Sequence, residues 1–129
     1  MRAIEQHYPT MLLEEIKALN VKKIADDNCV LFLWATAPKL KECIEVMISW
    51  GFEYRTCAIW DKKVIGMGYW FRNQHELLLI GKKGKLSPPE PKARVSSIYS
   101  EKRSRHSSKP IYFRELLSKW YGIRRIFRS

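Results

Sequence analysis

The feature that most constrains the fold is an uninterrupted apolar run, Cys29–Ala35, with the sequence CVLFLWA. A strand with one side in solvent alternates apolar and polar residues, whereas a strand covered on both faces is apolar almost throughout. Residues 75–81, HELLLIG, repeat this composition and end at a glycine. Both runs therefore predict strands in the interior of a sheet that is covered on both faces.

Helical patterns alternate with these strands. After Ala37 and Pro38, apolar residues recur at helical spacing until Gly51, a residue suited to the left-handed position that ends a helix. The other predicted elements are a helix that starts after Thr10, a strand over residues 52–60, a loop over 61–73, a largely irregular stretch over 82–105 with a short strand around 95–99, a helix from Pro110 to about Gly122 and a closing strand over 123–127.

This alternation predicts a three-layer α/β sandwich built on a mainly parallel sheet. A chain of 129 residues with 46% hydrophobic residues has room for one domain, which we place over residues 1–129. In such sheets ligands bind at the carboxyl ends of the strands.

The positive charge is concentrated in one part of the sequence. Residues 1–81 hold equal numbers of basic and acidic side chains, whereas residues 82–129 hold fourteen Lys and Arg against three Glu and so carry the whole net charge of +11. This asymmetry indicates a surface that meets phosphate, and thus nucleic acid as a partner. A solvated basic tail, or a face that meets an acidic protein, is the alternative.

The composition also limits location and chemistry. No apolar run is long enough to span a bilayer and the first residues lack the apolar stretch of a signal peptide, so we expect a cytoplasmic protein with no membrane partner. Cys29, Cys43 and Cys57 lie in apolar stretches, where free, buried thiols are expected. No spacing suggests a metal site or a phosphate-binding glycine loop.

The loop over residues 61–73 combines aromatic and basic side chains. Trp60, Tyr69, Trp70 and the neighbouring Arg72 could form a platform on which a flipped base stacks. For any one of these rings, the alternative is that it attaches the loop to the core.

Residues 104–110, SRHSSKP, place hydroxyls and cations just before a predicted helix. Arg105, His106, Ser107 and Lys109 could bind a carboxylate or phosphate at the helix start. An ordinary capped helix start would have the same spacing. For His106 we favour a hydrogen-bonding or phosphate-binding role over that of a base.

Seven segments spread over nearly the whole chain share an order and spacing with one enzyme family. The segments are Tyr8-Pro9-Thr10-Met11, Asp26-Asp27 before Leu31-Phe32-Leu33-Trp34, Trp50-Gly51-Phe52, Trp60, Gly66-Met67-Gly68-Tyr69-Trp70-Phe71-Arg72, Glu76-Leu77 with Gly81-Lys82-Lys83-Gly84, and His106-Ser107-Ser108-Lys109-Pro110. Together they resemble the adenine-N6 methyltransferases of the mRNA-methylating type and their bacterial and phage DNA relatives.

The resemblance implies a permuted, Rossmann-like methyltransferase fold that uses S-adenosylmethionine to methylate the exocyclic amine of adenine. It implies that Ser107 and Lys109 contact the methyl donor, that a loop containing Tyr8 covers the active site, and that the segment from Trp60 to Arg72 faces the target nucleotide. By analogy with the compact bacterial members, DNA is favoured over RNA as substrate.

The sequence also departs from the family pattern. The catalytic Asp-Pro-Pro-Trp tetrapeptide, expected before Tyr8, is absent, and the closing segment over residues 123–129 carries no acid. We therefore name no catalytic residue, expect the domain to be incomplete, and expect its first strand to be missing, which leaves an open sheet edge, weak stability or oligomerisation.

Three functions remain open at this point. The chain is a methyltransferase whose missing motif lies further upstream or is supplied by another chain, and which is weak or inactive alone. A second methyltransferase-like subunit or a homo-oligomer is the protein partner that this function implies. Alternatively it is a non-catalytic module that binds nucleic acid or a partner, or a gene remnant without function.

Overall fold

A single mixed sheet organises the structure, which is a computed structural model that describes residues 2–6, 28–103, 109–121 and 123–127. The strands are β1 (Arg2–Gln6), β2 (Cys29–Ala35), β3 (Glu53–Asp61), β4 (His75–Lys83), β5 (Ile98–Ser100) and β6 (Ile123–Phe127). The helices are α1 (Leu40–Ser49), preceded by a 3-10 turn at Ala37–Lys39, and α2 (Ile111–Tyr121), with a further 3-10 turn at Pro91–Ala93.

The strand order is β5-β3-β4-β2-β1-β6. Parallel pairing joins β1 to β2, β1 to β6, and β3 to β5, whereas β4 runs antiparallel to both β2 and β3. The sheet is therefore mainly parallel, as expected, with one reversed strand at its centre. Because of that reversal, the first residues of β4 lie beside the last residues of β2 and β3.

The two faces of β2 are covered by different helices. Leu31 and Leu33 pack with Val46 and Met47 of α1 in one cluster of buried side chains. Phe32, between them in sequence, packs with α2 in a second cluster on the opposite face. The uninterrupted apolar run is explained by this arrangement, since every residue of β2 is buried against one helix or the other.

Helix α1 ends where the sequence predicts. Gly51 adopts a φ of 89°, the left-handed conformation that glycine takes without a steric penalty. Its N–H donates to the carbonyl of Ile48 at 2.9 Å, and the N–H of Phe52 donates to Met47 at 3.1 Å. The chain then enters β3 directly.

The short strand β5 lies at one edge of the sheet. It pairs with β3 and is held against α2 by Tyr99, whose ring stacks on Tyr112 with centroids 3.9 Å apart. The short strand expected around residues 95–99 is thus displaced by a few positions.

The structure has a strand before Tyr8 that the sequence did not predict. Arg2–Gln6 form β1, which pairs with β2 on one side and with β6 on the other, so this side of β2 is not the open edge that we expected. Strand β1 does not carry the Asp-Pro-Pro-Trp tetrapeptide. The polar composition of this strand gave no sign of an interior position. The helix expected after Thr10 lies outside the described residues.

Two further properties concern the described residues alone. Cys29 and Cys43 are buried and Cys57 is partly buried, and none of the three forms a disulfide. Neither α1 nor α2 has the length and apolar character needed to cross a bilayer.

Candidate functional site

A buried carboxylate marks the carboxyl edge of the parallel strands. Glu76 is the second residue of β4 and is 7% exposed, beside the last residues of β2 and β3. An ionised carboxylate at such a position is costly unless it is paired. The cations that pair with it therefore define the site.

Two lysines from distant parts of the chain contact the two oxygens of Glu76. Lys109 Nζ donates a short hydrogen bond to Oε1, and Lys62 Nζ lies 3.7 Å from Oε2. The exposed fractions of the side chains are 24% for Lys109, 17% for Lys62 and 9% for Glu76. Two ammonium groups around one carboxylate leave this ion cluster with a net charge of about +1 at neutral pH.

Two tryptophans form the apolar wall of the ion cluster. Lys109 Nζ lies 5.1 Å from the ring centroid of Trp34 and 5.8 Å from that of Trp60. The two indoles are themselves in edge contact, with centroids 6.0 Å apart and planes at 73°. A ring face attracts a cation electrostatically, so both indoles attract the ammonium group of Lys109.

The elements explain why these side chains meet. Trp34 and Trp60 stand near the ends of β2 and β3 on the face covered by α2, and Lys109 is two residues before that helix begins. Glu76 points to the same face because Leu78, two residues further along β4, packs in the cluster beneath α2. The ion cluster thus lies at the carboxyl edge, where open α/β sheets bind their ligands.

Beside the ion cluster, a second group of hydrogen bonds is centred on Asp61, the last residue of β3 and the residue before Lys62. Asp61 accepts from the N–H of Lys63 at 2.9 Å, from Gln74 Nε2 at 3.0 Å and from Ser100 Oγ at 3.2 Å. The hydrogen bond from Gln74, followed by that from Lys63, lowers the pKa of the Asp61 carboxyl below its ordinary value of 3.8. These bonds close the base of the loop over residues 62–74.

The tip of that loop exposes large apolar side chains. Met67, Tyr69, Trp70 and Phe71 are each between 80% and 90% exposed. Trp70 has a φ of 73°, a left-handed conformation that is uncommon for a bulky residue. Such a display on a loop closed at its base is typical of a surface that contacts a partner or ligand.

Glycine is required at the tip for steric reasons. A Cβ on Gly68 would lie 2.0 Å from the carbonyl oxygen of Phe71, and one on Gly66 would lie 2.8 Å from that of Asn73. The N–H of Gly66 donates to that same Asn73 carbonyl at 2.8 Å. The sequence Gly-Met-Gly therefore permits a close approach of backbone segments, which side chains would prevent.

The structure brings together some of the residues singled out from the sequence. Lys109 and Trp60 meet in the ion cluster, but Trp60 is 1% exposed and its Nε1 donates to the carbonyl of Glu101 at 2.8 Å. Trp60 is therefore a buried wall of the site, the alternative considered for any single ring of that segment. Tyr69, Trp70 and Arg72 lie instead on the exposed loop. Four residues of the expected site lie outside the described part of the chain: Tyr8, Arg105, His106 and Ser107.

Three residues of the ion cluster were not among the residues expected at the site. Trp34 and Glu76 belong to predicted buried strands and to segments that carry the family resemblance, and Lys62 belongs to the loop predicted over residues 61–73, but none of the three was given a role at the site. The one available signal was Glu76 itself, an acid at the start of an otherwise apolar strand. A carboxylate in such a position requires a cation from elsewhere in the chain.

A separate cavity of about 490 Å³ lies on the same face, near the amino ends of β2 and β3. Its floor includes Val30, Phe32 and Ile80, and its lining includes none of the ion-cluster residues. The segment over residues 86–97 covers it and is bonded to α2, because Trp120 Nε1 donates to the carbonyl of Ala93 at 3.1 Å and the Tyr121 hydroxyl to that of Ser87 at 3.0 Å. The ion cluster is therefore not part of this cavity.

Comparison with known proteins gives a consistent family. The MT-A70 family model matches residues 1–126. The Type II methyltransferase M.MunI of a Mycoplasma species is 41% identical over 104 residues, which cover 80% of this chain and 45% of that protein.

More distant relatives are eukaryotic. The human N(6)-adenosine-methyltransferase catalytic subunit METTL3 is 32% identical over 89 residues, or 63% of this chain and 15% of that protein. The Drosophila melanogaster N(6)-adenosine-methyltransferase MT-A70-like protein is 32% identical over 89 residues, or 63% of this chain and 14% of that protein. The chain spans less than half the length of each of these relatives.

Proposed function

Because the chain belongs to the MT-A70 family of adenine-N6 methyltransferases, we propose that it forms part of an enzyme that transfers a methyl group from S-adenosylmethionine to adenine N6 in nucleic acid. We further propose that its mixed sheet is the core of a permuted, Rossmann-like methyltransferase domain over residues 1–129. The order of strands and the ion cluster at the carboxyl edge both support that assignment.

The ion cluster fits the chemistry of the methyl donor. The one anionic group of S-adenosylmethionine is its carboxylate, and an ion cluster with an excess positive charge favours such a group. Lys109 would hold the carboxylate, with Ser107 beside it in sequence. When bound, the donor supplies an electrophilic methyl group on sulfur. The buried indoles of Trp34 and Trp60 keep water from Lys109 and so strengthen its interaction with an anion.

The exposed loop is proposed to contact the target nucleotide. Tyr69 and Trp70 offer ring faces on which an extruded base can stack, and Arg72 adds a cation beside them. Tyr8, Arg105 and His106 are proposed to contact the same nucleotide. Trp60 would act beneath them, as the buried wall between loop and ion cluster.

We propose DNA as the substrate in preference to RNA. The similarity to the Type II methyltransferase, 41% identity over 104 residues, exceeds that to the adenosine methyltransferases, 32% over 89 residues. The basic excess over residues 82–129 suits either polymer. Because nucleic acid is the proposed substrate, we also propose a cytoplasmic location.

The isolated chain is proposed to have little methyltransferase activity. Adenine N6 is a poor nucleophile and needs acceptors that orient its amine, but the sequence contains no Asp-Pro-Pro-Trp motif to supply them. A second methyltransferase-like subunit would provide the missing groups. Methyl transfer by the purified chain alone, to adenine in DNA or RNA, would contradict this part of the proposal.

The position of Lys109 carries the proposal, and calorimetry tests it. S-adenosylmethionine titrated into the purified chain should bind with a dissociation constant on the order of micromolar, about 8 kcal/mol. Lys109→Ala should weaken binding, whereas Lys119→Ala, which removes an exposed lysine from the last turn of α2, should not. No heat from a folded protein would overturn the proposal. If that protein still bound nucleic acid, the non-catalytic binding module would be favoured instead.

A further inference from the structure

Glu76 presents a problem of charge balance if Lys109 binds a ligand. Its side chain is 9% exposed, and its carboxylate contacts two ammonium groups, one on each oxygen. When Lys109 turns toward an anionic ligand, its hydrogen bond to Glu76 weakens and a largely buried carboxylate loses its nearest cation. A buried charge without a partner is strongly destabilising, so a ligand would have to offset that cost. Within the part of the chain that the structure describes, Lys62 is the remaining cation in contact with Glu76.

The backbone of Lys62 is held in place by hydrogen bonds that do not involve Lys109. Its N–H donates to the carbonyl of Gln74 at 2.9 Å, and its own carbonyl accepts from the N–H of Arg103 at 3.4 Å. The preceding residue, Asp61, is fixed by three further hydrogen bonds. Lys109 is the more exposed of the two lysines, at 24% against 17%. Lys62 is thus the fixed partner of Glu76, and Lys109 is the partner that can be exchanged.

We infer that Lys62 is a positioning residue for the methyl donor: it keeps Glu76 neutralised and thereby leaves Lys109 available to the donor's carboxylate. The inference rests on the proposed function, since it assumes that this anion binds at Lys109. It assigns to Lys62 an effect that acts through Glu76, without contact between Lys62 and the ligand.

This role predicts effects of opposite sign for the two neighbours of Lys109. Without Lys62, Lys109 is the one cation that the described residues place against Glu76, and the ion cluster becomes neutral, so an anionic ligand binds more weakly. Without the charge of Glu76, Lys109 is released and the cluster becomes more positive, so the same ligand binds at least as tightly. A purely structural role for the ion cluster predicts weaker binding in both cases.

The test is calorimetry with two ligands. S-adenosylmethionine carries the carboxylate, whereas 5′-methylthioadenosine has the adenosine and the sulfur but no amino-acid group. Lys62→Met should weaken binding of S-adenosylmethionine by about tenfold, as expected for coupling within one ion-pair network, and leave methylthioadenosine within about twofold. Lys62→Arg should retain the binding of the unsubstituted chain. Lys63→Met, which removes the next and exposed lysine, is the matched control and should have no effect.

The double variant Lys62→Met/Glu76→Gln tests whether loss of the Glu76 charge has the opposite effect on binding to loss of Lys62. It should bind S-adenosylmethionine within about threefold of the unsubstituted chain, because the amide no longer competes for Lys109. Circular dichroism of each variant establishes that it is folded. If the double variant does not fold, the affinities of Lys62→Met and Lys62→Arg for S-adenosylmethionine and methylthioadenosine still test the role of Lys62.

Three results would overturn the inference, and they are distinguishable. If the unsubstituted chain does not bind S-adenosylmethionine, the proposed function and the inference fail together. If it binds and Lys109→Ala weakens binding but Lys62→Met does not, only the inference fails. Equal losses for both ligands in Lys62→Met would show that Lys62 supports the structure of the site and has no specific effect on the carboxylate.

Discussion

The indole Nε1 of Trp60 donates a hydrogen bond of 2.8 Å to the carbonyl oxygen of Glu101. This bond joins the end of β3 to the segment that leads toward Lys109, whose ammonium group lies 5.8 Å from the same indole ring. One side chain therefore forms part of the wall of the ion cluster and fixes a neighbouring stretch of backbone. Its loss should affect both stability and ligand binding.

Trp60→Phe is expected to lower the free energy of unfolding by about 1–3 kcal/mol, because it leaves the Glu101 carbonyl without its donor and shortens a buried ring. The same variant should weaken binding of S-adenosylmethionine. Chemical denaturation and calorimetry measure the two effects. Trp120→Phe is the matched control, since it removes a similar bond to the Ala93 carbonyl beside the separate cavity. It should lower stability alone, and equal losses of affinity in both variants would contradict the prediction.

The exposed ring of Trp70 is expected to contribute to nucleic-acid binding without contributing to stability. Base stacking on an aromatic side chain is worth about 1–3 kcal/mol, so Trp70→Ala should weaken binding of an adenine-containing oligonucleotide by about fivefold or more. Trp70→Phe should retain most of the affinity, and the melting temperature should change little because the ring is 86% exposed. Fluorescence anisotropy at fixed salt concentration gives the affinities. Unchanged binding by Trp70→Ala would exclude a stacking role for this ring.

Gly68→Ala should change the shape of the loop tip. The added Cβ would lie 2.0 Å from the carbonyl oxygen of Phe71, so the backbone must move. We expect weaker oligonucleotide binding with little change in global stability, since the loop tip is exposed. Met67→Ala, at the neighbouring position and 90% exposed, tests whether any alteration of the tip has the same effect. In the NMR spectrum of Gly68→Ala, the amide crosspeaks of the loop should shift, whereas those of the sheet strands should not.

Gly81→Ala should destabilise the contact between β4 and α1. The new methyl group would lie 2.7 Å from the Met47 sulfur and 3.0 Å from its Cε, and Met47 is fully buried. Overpacking of this kind costs about 1–3 kcal/mol. Because the clash is with one side chain, Met47→Ala in the same chain should remove the added penalty of Gly81→Ala. A double-mutant cycle of unfolding free energies that shows strict additivity would refute this explanation.

The loop over residues 62–74 should loosen in acid. The lowered pKa of Asp61 means that its hydrogen bonds stabilise the loop fully above the ordinary value of 3.8, and that this contribution is lost as the pH falls through the lowered value. In an NMR titration, the side-chain amide of Gln74 and the main-chain amide of Lys63 should shift together, with a midpoint below 3.8. Asp61→Asn should abolish that transition, and a midpoint at or above 3.8 would contradict the hydrogen-bond network.

Sequence patterns predicted most of the helices and strands, because the pattern of buried residues in each element is visible within its own short segment. The apolar run of β2 and the glycine at the end of α1 are found as expected, since sheet burial and the left-handed conformation act on neighbouring residues. Strand β1 was missed because its sequence, RAIEQ, has neither the apolar run nor the alternation of an interior strand.

The site was harder to predict because it joins segments that are far apart in the sequence. Glu76 and Lys109 are thirty-three positions apart, and no periodicity relates them. The difference between Trp60, which is buried, and Trp70, which is exposed, likewise depends on the path of the loop. Aromatic composition identified the segment, but tertiary structure decided which ring belongs to the core.

The edge contact between Trp34 and Trp60 also has a spectroscopic consequence. Two indoles with centroids 6.0 Å apart couple their electronic transitions, and the sign and intensity of their near-ultraviolet dichroism depend on their mutual angle. Lys109 lies over both rings, so its charge shifts the energies of those transitions. Any ligand that draws Lys109 away will alter the absorption and dichroism of the pair. The folded protein therefore contains an intrinsic optical probe, placed at the ion cluster, that reports occupancy without a label or a turnover assay.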